Sequence, residues 1–147
     1  MRITNIRTLH CGAPSALEAP LDRVWTFVLI ETDDGVSGVG ECSVFRLNQS
    51  VAEIVHRFSQ FLVGQDPTRV EHLWQQMYRH PFFRGGPIMN AAISGIDIAL
   101  WDIAGKVAGL PVYRMLGGPV RDRVRAYARA DLSGSTVEQV LQAQHHG

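Results

Sequence analysis

Apolar positions along this chain of 147 residues change rhythm near residue 50, from alternation to helical spacing. Residues 3–9, Ile-Thr-Asn-Ile-Arg-Thr-Leu, predict a first strand. Residues 12–22 form a loop punctuated by Gly12, Pro14, Ser15 and Pro20. Residues 25–31 predict a second strand, with Trp25, Phe27 and Leu29 on one face and Val28 and Ile30 on the other. That pattern implies burial on both faces. Asp33-Asp34-Gly35 supplies a turn, and residues 36–42 return as a third strand. Successive strands with short turns make an antiparallel meander.

After a polar loop at residues 43–49, Ser50 and Glu53 have the spacing of a capping box, and Ile54, Val55, Phe58, Phe61 and Leu62 give a helical stripe that Gly64 closes. Asp66 and Pro67 read as N-cap and first residue of the next helix, carried by Val70, Leu73, Trp74, Met77 and Tyr78 to residue 79. Residues 82–87 are a loop. The longest helix then spans residues 88–108. Ile93, Ile96, Leu100, Ile103 and Val107 line one face, and Ile98, Trp101, Ala104 and Ala108 a second, which places this helix between two layers. Gly109 stands at its C′ position and Pro111 follows. Residues 124–130 predict another strand. Ser135 and Glu138 open a last helix with Val137, Val140 and Leu141 as its stripe. A strand followed by a lone helix is half of a βαβ unit, and an edge left open in this way favours association.

With 46% hydrophobic residues, 19% charged residues and net charge +0, the composition is that of a globular domain with a real core. The balance gives no electrostatic drive toward nucleic acid or an anionic membrane. Asp97, Asp102 and Lys106 keep the long helix short of an uninterrupted apolar run of about 18 residues. Met-Arg-Ile-Thr-Asn-Ile-Arg lacks the apolar core of a signal peptide, so the cytoplasm is the expected compartment. Cys11 and Cys42 read as small strand or core residues, with a bridge or a ligand pair as the alternative.

The stretch Ala92-Ile-Ser-Gly-Ile-Asp-Ile-Ala-Leu-Trp-Asp-Ile-Ala-Gly-Lys106, followed by Gly109-Leu-Pro-Val-Tyr113 and Met115-Leu-Gly-Gly118, resembles the signature of the mandelate racemase and muconate lactonizing enzyme group of the enolase superfamily. Val63-Gly-Gln-Asp-Pro67, Trp74-Gln-Gln-Met-Tyr-Arg79 and Phe83-Arg-Gly-Gly-Pro87 are similar to the galactonate dehydratase branch. The resemblance implies an α+β fold: a three-stranded antiparallel meander followed by a helical bundle, as an N-terminal capping domain over residues 1–120. Residues 121–147 would then be the first strand and helix of a truncated (β/α) barrel, which needs roughly 200 residues or more.

The implied activity is a Mg²⁺-dependent, galactonate-like sugar-acid dehydration, a lyase reaction in which a proton α to a carboxylate is abstracted and a β-hydroxyl leaves. A racemase or cycloisomerase of the same superfamily, or a non-catalytic binding or assembly module, is the alternative. The family's metal ligands and bases lie on later barrel strands, so no catalytic residue and no metal ligand carries over. Mg²⁺ is expected in the intact parent and not on this chain, which alone is expected to be inactive. A small sugar acid is the implied partner, with assembly as a homo-oligomer.

In the family, loops after the first and third strands close over the barrel mouth; here these are residues 12–22 and 43–49. Arg46 and Asn48, in the second, offer a cation and an amide to a carboxylate or hydroxyls, and serve equally as solvated loop residues. Arg129 and Asp131 stand at the C-terminal end of the presumed barrel strand, where barrel sites are built; an ordinary ion pair is the other reading of Arg129. Asp97 and Asp102 point away from each other on the helix, and Asp102 can pair with Lys106. His10, His56, His72 and His80 lack ligand spacing, and the adjacent His145 and His146 diverge. Gly35, Gly38 and Gly40 do not complete a nucleotide loop, because Ser43 stands where its third glycine belongs; close backbone packing or strand bending explains them better. The turn Arg84-Gly85-Gly86-Pro87 is structural or holds an anion through Arg84.

Overall fold

Strands β1 (Ile3–Cys11), β2 (Trp25–Thr32) and β3 (Ser37–Glu41) pair antiparallel in the order β1-β2-β3, as the meander pattern predicts. The computed structural model describes residues 1–12 and 24–126. Helices α1 (Asn48–Leu62), α2 (Val70–Arg79), α3 (Pro87–Ala108) and the short α4 (Val112–Met115) follow. Period-2 alternation sets the register: Ile6 faces Ile30 across β1 and β2, and Val28 faces Gly40 across β2 and β3. Ile3, Ile6, Thr26, Val28 and Ile30 are buried on the face that receives the helices.

The opposite face is less covered than the sequence suggests. Leu9, Trp25 and Val39 are exposed there, Trp25 by 60%. Alternating apolar residues on β2 therefore do not signal two equal layers. No described element covers that face.

Helix α3 is the centre of the domain. Ile96, Leu100 and Ile103 are fully buried, each contributing about 1.5–3 kcal/mol by transfer from water. It has the length and mean hydropathy, 1.2, of a membrane span, yet its apolar residues Ala92, Ile93, Ile96, Ala99, Leu100 and Ile103 belong to the core shared with the sheet, α1 and α2. Its second face is exposed at Ile98, and Val107, the last residue of the first stripe, is exposed as well. Gly109 ends it as expected, in the left-handed region at φ +66°. The amide of Leu110 then donates to the carbonyl of Gly105 at 2.9 Å.

Strand β3 and α3 touch backbone to backbone. A Cβ on Gly40 would lie 1.9 Å from the carbonyl oxygen of Gly95, and one on Gly38 would lie 2.1 Å from that of Ala99. Of the two readings that the sequence left for these glycines, close packing or strand bending, close packing is what the structure shows. The outer edge of β3 is closed by side chains of α3: the Val39 amide donates to Asp102 Oδ2 at 3.0 Å, and Lys106 Nζ donates to the Ser37 carbonyl at 2.7 Å. Lys106 also pairs with Asp102 at 2.8 Å, the expected helical pair. At the other edge, Ile3 exchanges backbone hydrogen bonds with Gln65 and Gly64 at 2.9 and 2.8 Å. The β3 edge is thus capped at Ser37 and Val39, and the β1 edge at Ile3.

Two helix starts differ from the sequence reading. Helix α1 begins at Asn48, ahead of Ser50, with no side-chain cap at its N-terminus. Helix α2 begins at Val70, because Asp66 Oδ1 accepts from the amide and hydroxyl of Thr68 and makes a separate turn. Residues 124–126 are in no strand; the remainder of the predicted strand to residue 130, and the helix from Ser135, lie outside the described residues.

Candidate functional site

The segment joining β3 to α1, residues 42–47, is built as a braced turn. As β3 ends, the Cys42 amide donates to the Thr26 carbonyl at 2.9 Å, and the Thr26 amide donates to Ser43 Oγ at 2.8 Å. Glu41 Oε1 accepts from the Ser43 amide at 2.6 Å. One tight turn follows, closed by the Leu47 amide on the Val44 carbonyl at 2.9 Å. Within it Arg46 adopts φ +61°, the only positive φ among the described non-glycine residues. That region is costly for a side chain bearing a Cβ. Phe45, Arg46 and Leu47 are exposed, and the Arg46 guanidinium lies 5.1 Å from the centre of the Phe45 ring.

Arg46 and Asn48 therefore do different things. Arg46 stands at an exposed tip with an aromatic ring beside it, suited to a carboxylate that carries an apolar or hydroxylated chain. Asn48 is only 2% exposed. Its Oδ1 accepts from the Val44 amide and its Nδ2 donates to the Val24 carbonyl, both at 2.9 Å. As a surface amide open to ligand, the sequence reading of Asn48 is corrected: it is an internal brace. Arg129 and Asp131 lie outside the described residues.

Ser43, Thr26 and Glu41, which support the tip, were not singled out in the sequence. The available signal, for Ser43 alone, was its place among hydrogen-bonding types directly after β3. His10 joins the same network, with Nδ1 at 3.0 Å from Thr26 Oγ1.

Elsewhere the titratable groups have structural surroundings. Burial, and then the Glu71 carboxylate, push Asp97 above the usual carboxylate range. Burial, and then the Glu41 charge, push the Cys42 thiol up to about 11. Neither Cys11, exposed, nor Cys42, buried, is in a disulfide. Among the described residues no group of three or more His, Cys, Asp or Glu could hold a metal ion. Two open grooves of about 520 and 590 Å³ meet at Phe61 and His80, near the end of α1 opposite Asn48. Gly85 and Gly86 both have positive φ and lead into α3.

The family model described as mandelate racemase / muconate lactonizing enzyme, N-terminal domain, matches residues 7–117. A D-galactonate dehydratase of Ralstonia pickettii (strain 12J) is 55% identical over 104 residues, covering 71% of this chain and 27% of that protein. One of Xanthomonas oryzae pv. oryzae (strain PXO99A) is 44% identical over 142 residues, covering 95% of this chain and 35% of that protein. The chain thus spans about a third or less of the length of these relatives. A solved enolase from Pantoea ananatis with bound D-gluconate and Mg superposes with a TM-score of 0.73 at 41% identity, over 82% of this chain and 28% of that one. With the family model matching residues 7–117 and relatives this similar, the chain belongs to the mandelate racemase / muconate lactonizing enzyme family through its N-terminal domain.

Proposed function

We propose that this domain caps the active site of a Mg²⁺-dependent sugar-acid dehydratase acting on a galactonate-like aldonate. Identity of 55% and 44% to proteins named D-galactonate dehydratase supports the reaction class. The solved relative with D-gluconate and Mg supports an aldonate and the metal. The described residues themselves do not fit a Mg²⁺ site, because no three or more of their His, Cys, Asp or Glu side chains come together to hold a metal ion. The metal and the proton-transferring groups are accordingly assigned to the barrel of such an enzyme, which residues 121–147 would begin after a capping domain at 1–120.

The single observation that carries the domain's own role is the exposed Phe45–Arg46 tip on its braced turn. There the guanidinium binds the acid or a hydroxyl of the substrate, and the apolar residues beside it exclude water from the reacting carbon. Arg129 and Asp131 complete the proposed contact set from their sequence position alone.

The test is formation of a 2-keto-3-deoxy acid from D-galactonate and other aldonates, with and without Mg²⁺, by the polypeptide that joins this domain to its barrel. Arg46→Ala should raise KM about tenfold or more, the size expected for loss of a hydrogen bond to a charged group. The chain of residues 1–147 alone should form no product. Absence of product from every aldonate with the joined polypeptide would overturn the proposal, as would Mg²⁺-dependent product from the chain alone.

A further inference from the structure

Two separate side-chain bonds cross from the start of β2 to the turn that carries Arg46. Asn48 bridges the Val24 carbonyl and the Val44 amide, and Ser43 Oγ accepts from the Thr26 amide. In each case the anchor is a backbone group, of Val24 just ahead of β2 and of Thr26 within it, and not a rotamer. Thr26 is itself fully buried. Glu41 braces the same turn from the β3 side through the Ser43 amide. A left-handed Arg46 persists only where its surroundings over-determine it, and these bonds supply that constraint.

We infer that Asn48 and Ser43 are positioning residues that clamp the Phe45–Arg46 tip onto the head of β2 and so fix the direction in which the guanidinium is offered to a sugar-acid carboxylate or hydroxyl. The inference rests on the proposed dehydratase reading. Neither residue touches substrate; each acts through Arg46. A pair that merely held the fold would lower thermal stability when removed and leave substrate affinity alone. A positioning pair must change KM, and only while Arg46 is present to be positioned.

The experiment measures KM, kcat and melting temperature for the joined dehydratase with D-galactonate, comparing Arg46→Ala, Asn48→Ala, Ser43→Ala, Ser43→Thr and the double variant Arg46→Ala/Asn48→Ala. Asn48→Ala and Ser43→Ala should each raise KM about tenfold, the scale of leaving buried polar groups unpaired, with a smaller change in kcat. Ser43→Thr, which keeps the hydroxyl, should restore KM. In the Arg46→Ala background, Asn48→Ala should change KM less than about twofold, because the residues act as one unit. If Asn48→Ala does not fold, the contrast between Ser43→Ala and Ser43→Thr decides. Should Arg46→Ala raise KM while Asn48→Ala and Ser43→Ala only lower the melting temperature, the positioning role is wrong and the dehydratase reading stands. An unchanged KM in Arg46→Ala would overturn the substrate role of the tip, and the clamp with it.

Discussion

Adding one methyl group at Gly40 should separate the sheet from α3. The new Cβ would sit 1.9 Å from the Gly95 carbonyl oxygen and 2.9 Å from the Ala99 amide nitrogen, where ordinary contact begins at 3.4 Å. Both partners are backbone, so no rotamer change relieves the overlap, and strand and helix must part by about 1.5 Å. Parting them also opens the close approach of Gly95 to the side chains of Cys42 and Val28, which a Cβ on Gly95 would meet at 2.6 and 3.1 Å. Overpacking costs about 1–3 kcal/mol, and a backbone-against-backbone clash belongs at the upper end. For a chain of this size about 3 kcal/mol corresponds to a fall in melting temperature of roughly 6–12 °C.

The assay is thermal and urea unfolding of Gly40→Ala, followed by circular dichroism, with Gly35→Ala as reference. Gly35 has no atom within 4 Å of its virtual Cβ and φ +85°, so its substitution should cost only the backbone term, about 1–2 kcal/mol. Gly38→Ala meets the same helix, at the Ala99 carbonyl oxygen. A helix already displaced for one methyl accommodates the second more cheaply, so the double variant should cost at least about 0.5 kcal/mol less than the two singles added. A Gly40→Ala protein melting within about 2 °C of the parent would refute the close approach.

Asp102→Ala removes the acceptor of the Val39 amide and the partner of Lys106 together, and should destabilise by about 1–2 kcal/mol in urea unfolding. Lys106→Ala should cost under about 1 kcal/mol, since its ion pair is half exposed; an equal cost for both would contradict the edge-capping role of Asp102. A thiol reagent at pH 8 should label exposed Cys11 quickly and Cys42 only on unfolding, and equal labelling rates would be inconsistent with this packing. The Cys42 thiol is raised from 9.0 to about 11 in the fold, so its contribution to stability is complete below pH 9 and declines as pH rises toward 11. Cys42→Ala should flatten that alkaline decline in a series of urea melts.

The meander was legible because alternation and the Asp33-Asp34-Gly35 turn are local signals, and α3 was legible because its apolar stripes and Gly109 stop are local too. Gly38 and Gly40 announced close packing or a bend, but a strand glycine does not say which backbone approaches it. Gly95 and Ala99 come more than fifty residues later. Trp25 was misplaced for a related reason. Its alternation with Phe27 and Leu29 reads like a second core face, while coverage of that face depends on a layer that β2 cannot encode.

The exposed position of Arg46 was legible in the sequence and the buried position of Asn48 was not, and the difference lies in what recruits each side chain. Ser50-x-x-Glu53 is a local capping pattern, so the sequence placed the helix start there and left Asn48 in the preceding loop. The helix instead starts at Asn48, because the Val24 carbonyl and Val44 amide need partners in the interior and its amide supplies both. Tertiary hydrogen bonding overrides the local box. Asparagine is an indifferent helix former, and its place at the first residue of α1, with no side-chain cap to recommend it, is the mark that packing selected it. Arg46, two residues earlier, sits exposed in the tight turn at φ +61°. A loop read by composition gives the two the same role; the backbone sends one to solvent and the other into the core.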